Sequence, residues 1–255
     1  PGAGKSSLLS ELIAAWRRRD RSVAVLAVDP TSRRSGGALL GDRARIKVVD
    51  PGDPRVFIRS AAAGDRLGGL APSTREAAQA LAAAFDVVVI ETVGVGQSET
   101  EVADVADTVA VVVQPGSGDV LQFLKAGIME IPDVLVVTKA DLGRIAQAAV
   151  RDLRAALRSL GANQVSVVPV SSLPPSSGID ELIEALDAHR ATLDVAERRT
   201  AARRHSALAD FVVEYGDRGL RALGGRREAQ RFLAEQDPGR DVPALVAALV
   251  ERAAL

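Results

Sequence analysis

Pro1-Gly2-Ala3-Gly4-Lys5-Ser6-Ser7 decides how the rest of this 255-residue chain is read. Gly4-Lys5-Ser6 matches the close of the phosphate-loop pattern G-x-x-x-x-G-K-[ST]; the pattern's first glycine, with the strand that feeds the loop, is expected just ahead of Pro1. In such a loop Gly2 and Gly4, with Ala3 between them, let the backbone approach a ligand closely and turn successive N–H groups toward phosphate oxygens. Lys5 reaches the β and γ phosphates, Ser6 offers a hydroxyl to magnesium, and Ser7 extends the cradle. The helix that follows presents its amino end to the anion. The competing reading is a plain surface glycine-lysine turn.

What lies downstream separates the two. Leu8, Leu9, Leu12, Ile13 and Trp16 recur at helical spacing, and Arg17 to Asp20 bring that helix to the surface. Ser22 to Val28 reads as a buried strand ending at Asp29-Pro30, and residues 74–84 as an alanine-rich helix. Phe85 to Ile90, Val109 to Val113, Val134 to Val137 and, more weakly, Val165 to Val170 are further strands. Helices are expected near residues 119–129, 144–160 and 178–193. Alternating strands and helices, with strands apolar on both faces, predict an α/β fold: a mostly parallel sheet flanked by helices. Ligands then collect at the carboxyl ends of the strands. The strand signal stops near residue 190, which predicts a nucleotide-binding domain over 1–190 and a helical extension over 191–255. Arg198, Arg199, Arg203 and Arg204 in that extension read either as packing helices or as a basic face for nucleic acid.

Composition narrows the function classes. A net charge of -1 gives no electrostatic footprint for nucleic acid. No run approaches the roughly 20 apolar residues of a membrane span, and no signal peptide is visible, so neither a nucleic-acid nor a membrane partner is expected. The absence of cysteine removes disulfide and thiolate chemistry, and two histidines make a structural zinc site a poor expectation. The lack of cysteine does not by itself fix the compartment; a cytoplasmic location is the expectation.

Two strand-end acids, Asp29 and Glu91, fall where a magnesium shell needs carboxylates, Glu91 being the better candidate and Asp29 a water-mediated one. A strand-end solubility or capping role is the alternative for each. In Glu91-Thr92-Val93-Gly94-Val95-Gly96-Gln97-Ser98-Glu99, a mobile amide near Gly94 can sense the γ phosphate. Gln97 either orients the attacking water or is a surface residue. Catalysis is expected to rest on magnesium, Lys5 and backbone positioning, because phosphoryl transfer needs charge stabilisation more than a strong base. Thr138-Lys139-Ala140-Asp141 follows a strand. A carboxylate there accepts from the guanine ring N–H and exocyclic amine, a donor pair adenine lacks, while the Lys139 stem covers the base. Thr138 stands where the common N-K-x-D motif has asparagine. Ser171 and Ser172 either approach the guanine carbonyl or form an ordinary turn.

Taken together these residues resemble the methylmalonyl-CoA mutase-associated G proteins of the MeaB/ArgK type. The resemblance adds Val28-Asp29-Pro30-Thr31-Ser32, Ser35 to Asp42, Val56-Phe57-Ile58-Arg59, Leu67-Gly68-Gly69, Thr74-Arg75-Glu76, Pro115 to Asp119 and Lys125 to Glu130 to the motifs above. It implies a homodimeric P-loop GTPase of the signal-recognition-particle/MinD class that uses GTP/GDP and Mg2+. It further implies gated cofactor delivery to, and protection of, a cobalamin-dependent acyl-CoA mutase. Asp29, Asp42 and Glu91 then surround magnesium, residues 91–99 form a second switch, and residues 114–125, with Lys125, a third. The 191–255 helices would serve dimerisation. Departures are the Arg33-Arg34 pair and Thr138. An ATP-dependent kinase or a non-catalytic nucleotide-binding adaptor are the alternative functions.

Overall fold

The computed structural model describes residues 3–29, 46, 50–62, 72–92, 102, 105–116 and 132–254. The chain divides into two units, residues 1–192 and 193–255.

In the first unit helix α1 (Lys5–Arg18) is followed by strands β1 (Val23–Asp29) and β2 (Val56–Ala62), helix α2 (Pro72–Ala82) and strand β3 (Val87–Thr92). Strands β4 (Ala110–Val113) and β5 (Val134–Val137), helix α3 (Arg144–Ser159), strand β6 (Ser166–Pro169) and helix α4 (Ile179–Ala191) complete it. The described strands form two three-stranded sheets, ordered β2-β1-β3 and β4-β5-β6, with every pair parallel. The expected parallel α/β architecture is therefore present. The helix expected at 119–129 lies outside the described residues.

Burial explains the strands. Val134 to Val137 are all fully buried, as a parallel strand covered by helices on both faces must be. On one face Leu8, Leu9, Leu12, Ile13 and Trp16 of α1 join Val23 and Val25, Val134 and Val136, Val168, and Ile179, Leu182 and Ile183 of α4 in one core that runs under both sheets. On the other, Ala149, Val150, Leu153 and Leu157 of α3 pack on Val113, Leu135, Val137 and Val167. Each fully buried leucine contributes about 1.5–3 kcal/mol.

Strand β2 is an element the sequence pattern did not predict. Its apolar run is only Val56-Phe57-Ile58, and Phe57 and Arg59 are exposed, so it lacks the continuous signal of its neighbour. The β3 boundary also differs from the expected 85–90. Phe85 donates its N–H back to Leu81 at the end of α2, and the Asp86 carboxylate accepts from both the N–H and the hydroxyl of Ser22 at 2.7 Å. The strand begins at Val87, two residues after the expected start, and ends at Thr92.

Polar pins close the edge of the first unit opposite the carboxyl ends of the strands. Arg17 at the end of α1 pairs with Asp53 at 2.7 Å, and Arg21 with Asp187 of α4 at 2.8 Å. The Arg17 side-chain hydrogen bond holds the Asp53 carboxyl below its ordinary range, and the Ser22 N–H does the same for Asp86. The Asp187 hydrogen bond raises the Arg21 guanidinium further. Strand β6 ends in Pro169, which has no N–H, and Arg154 of α3 donates to the Val167 carbonyl at 3.1 Å. Both features blunt a sheet edge that would otherwise invite further strands.

The second unit contains helices α5 (Val195–Ala222), α6 (Arg226–Ala234) and α7 (Val242–Ala253). Asp194 and Asp241 cap the starts of α5 and α7, accepting from Glu197 N and Ala244 N at 3.0 and 2.9 Å. Leu208, Phe211, Leu223, Leu233, Leu245 and Leu249 form its own core. Helix α5 kinks at Gly216. Arg203 donates to the carbonyls of Pro238 and Arg240, and Arg204 to those of Ala234 and Gln236. These two guanidiniums satisfy carbonyls at and just beyond the end of α6, a structural use of the basic run.

Candidate functional site

The carboxyl ends of the strands and the start of α1 share one edge of the first unit. Gly4 caps α1 in the left-handed region, at φ 79°, a conformation only glycine adopts without strain. Among the described residues no side chain caps this helix, and the first-turn N–H groups of Lys5, Ser6 and Ser7 have no intrahelical partner. Intrahelical bonding begins at Leu8, whose N–H reaches the Gly4 carbonyl at 2.9 Å. Lys5 and Ser6 are half-buried and Ser7 exposed. An uncapped amino end after a glycine turn is an electropositive cradle for phosphate. Gly2 lies outside the described residues.

The second loop follows β5. Thr138 is buried, Lys139 is a non-glycine residue at φ 54°, and Ala140–Leu142 form a single 3-10 turn. Left-handed backbone at such a residue costs on the order of 1–2 kcal/mol and needs fixed surroundings. Here the Thr138 N–H donates to Val113 at 3.0 Å and the Ala140 N–H to Val170 at 2.9 Å, so the loop is anchored to the ends of β4 and β6. Asp141 is exposed at the tip. The Thr138 hydroxyl donates across 135 positions to the Ala3 carbonyl at 2.8 Å. That bond brings the loop after β5 against the Ala3–Gly4 turn ahead of α1.

The third loop comes from β6. Ser171 and Ser177 exchange both backbone hydrogen bonds, at 2.9 and 3.0 Å, which closes a tight turn. Gly178, at φ 76°, completes it; a Cβ there would stand 2.1 Å from the Pro169 carbonyl oxygen. The buried Ser171 hydroxyl donates to Asp141 Oδ1 at 2.8 Å. Ser171 therefore meets the Asp141 carboxylate, a partner that neither the guanine carbonyl nor the plain turn expected for it implies. Ser172 follows, half-buried.

Of the candidate magnesium ligands, Glu91 is next to last in β3. It is in register with Ala27 of β1, and its strand neighbours Val87 and Val89 pack against the core that α1 joins. By strand alternation Glu91 is on the same sheet face as α1, and its Oε2 is shielded from solvent. One hydroxyl from Ser6 and one carboxylate from Glu91 are hard oxygen donors of the kind magnesium takes alongside phosphate and water. Asp29 ends β1, opposite Ala62. No group of three or more metal-binding side chains occurs among the described residues, and a magnesium held largely by phosphate and water does not require one. Asp42, Gly94, Gln97 and Lys125 lie outside the described residues.

A groove of about 640 Å³ runs over β6 between α3 and α4, lined by Arg154, Arg158, Asn163 and Glu181 among others. None of the predicted site residues lines it. No helix among the described residues is long and apolar enough to cross a membrane.

A Pyrococcus abyssi protein, provisionally named a GTPase, is 45% identical over 212 residues, covering 80% of this chain and 64% of its own length. A Mycobacterium tuberculosis H37Rv protein named a probable GTPase is 40% identical over 210 residues, covering 80% and 62%. A Caenorhabditis briggsae protein named methylmalonic aciduria type A homolog, mitochondrial, is 46% identical over 143 residues, covering 55% and 34%. The chain thus spans less than two thirds of the length of these relatives. The solved structure of HypB from Helicobacter pylori in complex with nickel superposes with a TM-score of 0.53 at 17% identity, over 75% of this chain and 84% of that one. At that identity the likeness is one of fold alone. The family model described as methylmalonyl Co-A mutase-associated GTPase MeaB matches residues 1–217, and the chain belongs to that family.

Proposed function

We propose that the protein binds GTP and hydrolyses its terminal phosphoanhydride bond with magnesium. Its nucleotide state would govern cofactor loading, and protection, of a cobalamin-dependent methylmalonyl-CoA mutase or a related acyl-CoA mutase. The observation that carries this reading is the Thr138–Ala3 hydrogen bond, which joins a guanine-type base reader to a phosphate cradle so that one nucleotide can engage both.

Each residue's part follows from its chemistry. Asp141, with Oδ1 steadied by Ser171, accepts from the guanine N1–H and exocyclic amine. The Lys139 stem lies over the base. The first-turn N–H groups of α1 bind phosphate oxygens, and Lys5 offsets the charge that grows on the γ phosphate as its bond breaks. Ser6 and Glu91, with Asp29 and Asp42, would hold magnesium, which when bound neutralises the β and γ phosphate oxygens. The Gly94 amide reports the γ phosphate and Gln97 orients water, both within the 91–99 switch.

On the same reading the protein is a P-loop GTPase of the signal-recognition-particle/MinD class. Residues 1–190 form its GTP-binding domain, and residues 191–255 serve a homodimer. Membership of the mutase-associated GTPase family supports the GTPase and mutase parts of the reading. The test is GTP hydrolysis by the full-length protein with magnesium and with chelator. It is run beside cobalamin loading of a purified acyl-CoA mutase in the GTP-, GDP- and nucleotide-free states. Loading that differs between states is expected; equal loading in all three defeats the coupling.

A further inference from the structure

We infer that Thr138 is a positioning residue that straps the phosphate loop to the base-reading strand, and that its hydroxyl does not read the base. The inference rests on the GTP-binding reading above. A hydroxyl carries a single proton. Here the nearest acceptor is the Ala3 carbonyl at 2.8 Å, with the Val113 carbonyl at 3.2 Å taking at most a minor share. No proton is left for an acceptor on a purine such as N7. Thr138 is 3% exposed, so water does not compete for these bonds.

The strap has a fixed anchor and a defined load. Its anchor is β4, because the Thr138 N–H already donates to Val113 at 3.0 Å. Its load is the Ala3–Gly4 peptide. That unit is planar and trans, so holding the Ala3 oxygen also fixes the Gly4 N–H on the opposite side of the bond. The Gly4 N–H immediately precedes the first turn of α1, and on the GTP-binding reading it is one of the donors to phosphate. Losing the hydroxyl therefore frees the orientation of a phosphate donor and leaves a carbonyl short of a partner. It leaves untouched the Asp141–Ser171 pair that recognises guanine, which is anchored separately through Ala140 N to Val170.

The proposal predicts a split between affinity and selectivity. Thr138→Val keeps the shape and removes the hydroxyl; Thr138→Ser keeps the hydroxyl and serves as the rescue. In the full-length protein, competition titrations with GDP, GTP, guanosine and ADP would be compared across wild type and variants. The valine variant is expected to bind GDP and GTP about fivefold more weakly, as for one lost hydrogen bond. Its guanosine affinity and its preference for GDP over ADP should stay within about twofold, and serine should restore GDP binding. The GDP-to-guanosine ratio does not depend on the fraction folded, and Thr138→Ala repeats the comparison with a smaller side chain. An equal loss for guanosine would make the hydroxyl a base contact and overturn the strap, as would undiminished GDP binding. A wild type that binds neither GDP nor GTP overturns the GTP reading itself, and the strap with it.

Discussion

Ser171→Ala removes one hydroxyl while leaving the backbone exchange with Ser177 intact. That hydroxyl is the donor that holds Asp141 Oδ1 at 2.8 Å. A hydrogen bond to a charged group is worth about 1.5–3 kcal/mol. Asp141 is exposed, so water replaces part of the lost bond, and about 1–1.5 kcal/mol is the reasoned cost to a carboxylate that must be aimed before it reads a base. With about 1.4 kcal/mol per factor of ten, GDP affinity should fall about five- to tenfold. ADP, which offers no donor pair to Asp141, should be affected far less. The assay is displacement of a fluorescent GDP analogue from the full-length protein by unlabelled GDP and ADP, with thermal melting of wild type and variant alongside. Unchanged GDP affinity in a folded variant, or an equal loss for GDP and ADP, would refute the idea that Ser171 aims the base reader.

Other predictions concern the phosphate loop, the turn and acid stability. Lys5→Ala should lower GTP hydrolysis about a hundredfold or more by removing the charge at the γ phosphate; near-normal turnover would contradict that role. Gly178→Ala places a Cβ 2.1 Å from a backbone oxygen at a positive φ, so urea unfolding should show a loss of about 2–4 kcal/mol. An unchanged midpoint would mean that the turn relaxes. Asp53 and Asp86 titrate lower in the folded chain than in the unfolded one, chiefly through the Arg17 and Ser22 hydrogen bonds. Their stabilisation is therefore full above about pH 5 and is lost as pH falls through about 4 and below. The urea midpoint should drop over that range, and the double variant Asp53→Asn, Asp86→Asn should drop less; identical profiles would remove these two groups from the account.

How far the sequence could be read depends on where each signal resides. Val134 to Val137 and the α3 stripe of Ala149, Val150, Leu153 and Leu157 were legible because burial imposes a period on neighbouring residues. The edge strand β2 was not, since exposed Phe57 and Arg59 interrupt the apolar pattern and pairing with β1 carries the strand instead. Asp86 read as part of a strand because its neighbours are apolar, while its carboxylate in fact serves Ser22, 64 positions away. The Gly4-Lys5-Ser6 and Thr138–Asp141 loops stood out as motifs because the chemistry proposed for them needs particular side chains at short spacing. Their connection was not visible. The partners of Thr138 are the carbonyls of Ala3 and Val113, and a carbonyl belongs to every residue. The link between Ser171 and Asp141 likewise depends on how β5 and β6 pair, which no local pattern records.

The central claim is that Asp141 reads guanine for a phosphate loop at its side, and Asp141→Asn tests it most directly. An asparagine keeps one oxygen acceptor and replaces the other with an N–H donor. Guanine then meets a donor facing its exocyclic amine, whereas xanthine, with a carbonyl there, finds a matched partner. Titration of the wild-type and Asp141→Asn full-length proteins with GDP and xanthosine diphosphate should show wild type preferring GDP and the variant preferring xanthosine diphosphate. A variant that keeps the wild-type preference for GDP, or a wild type that binds ADP as tightly as GDP, would contradict the account.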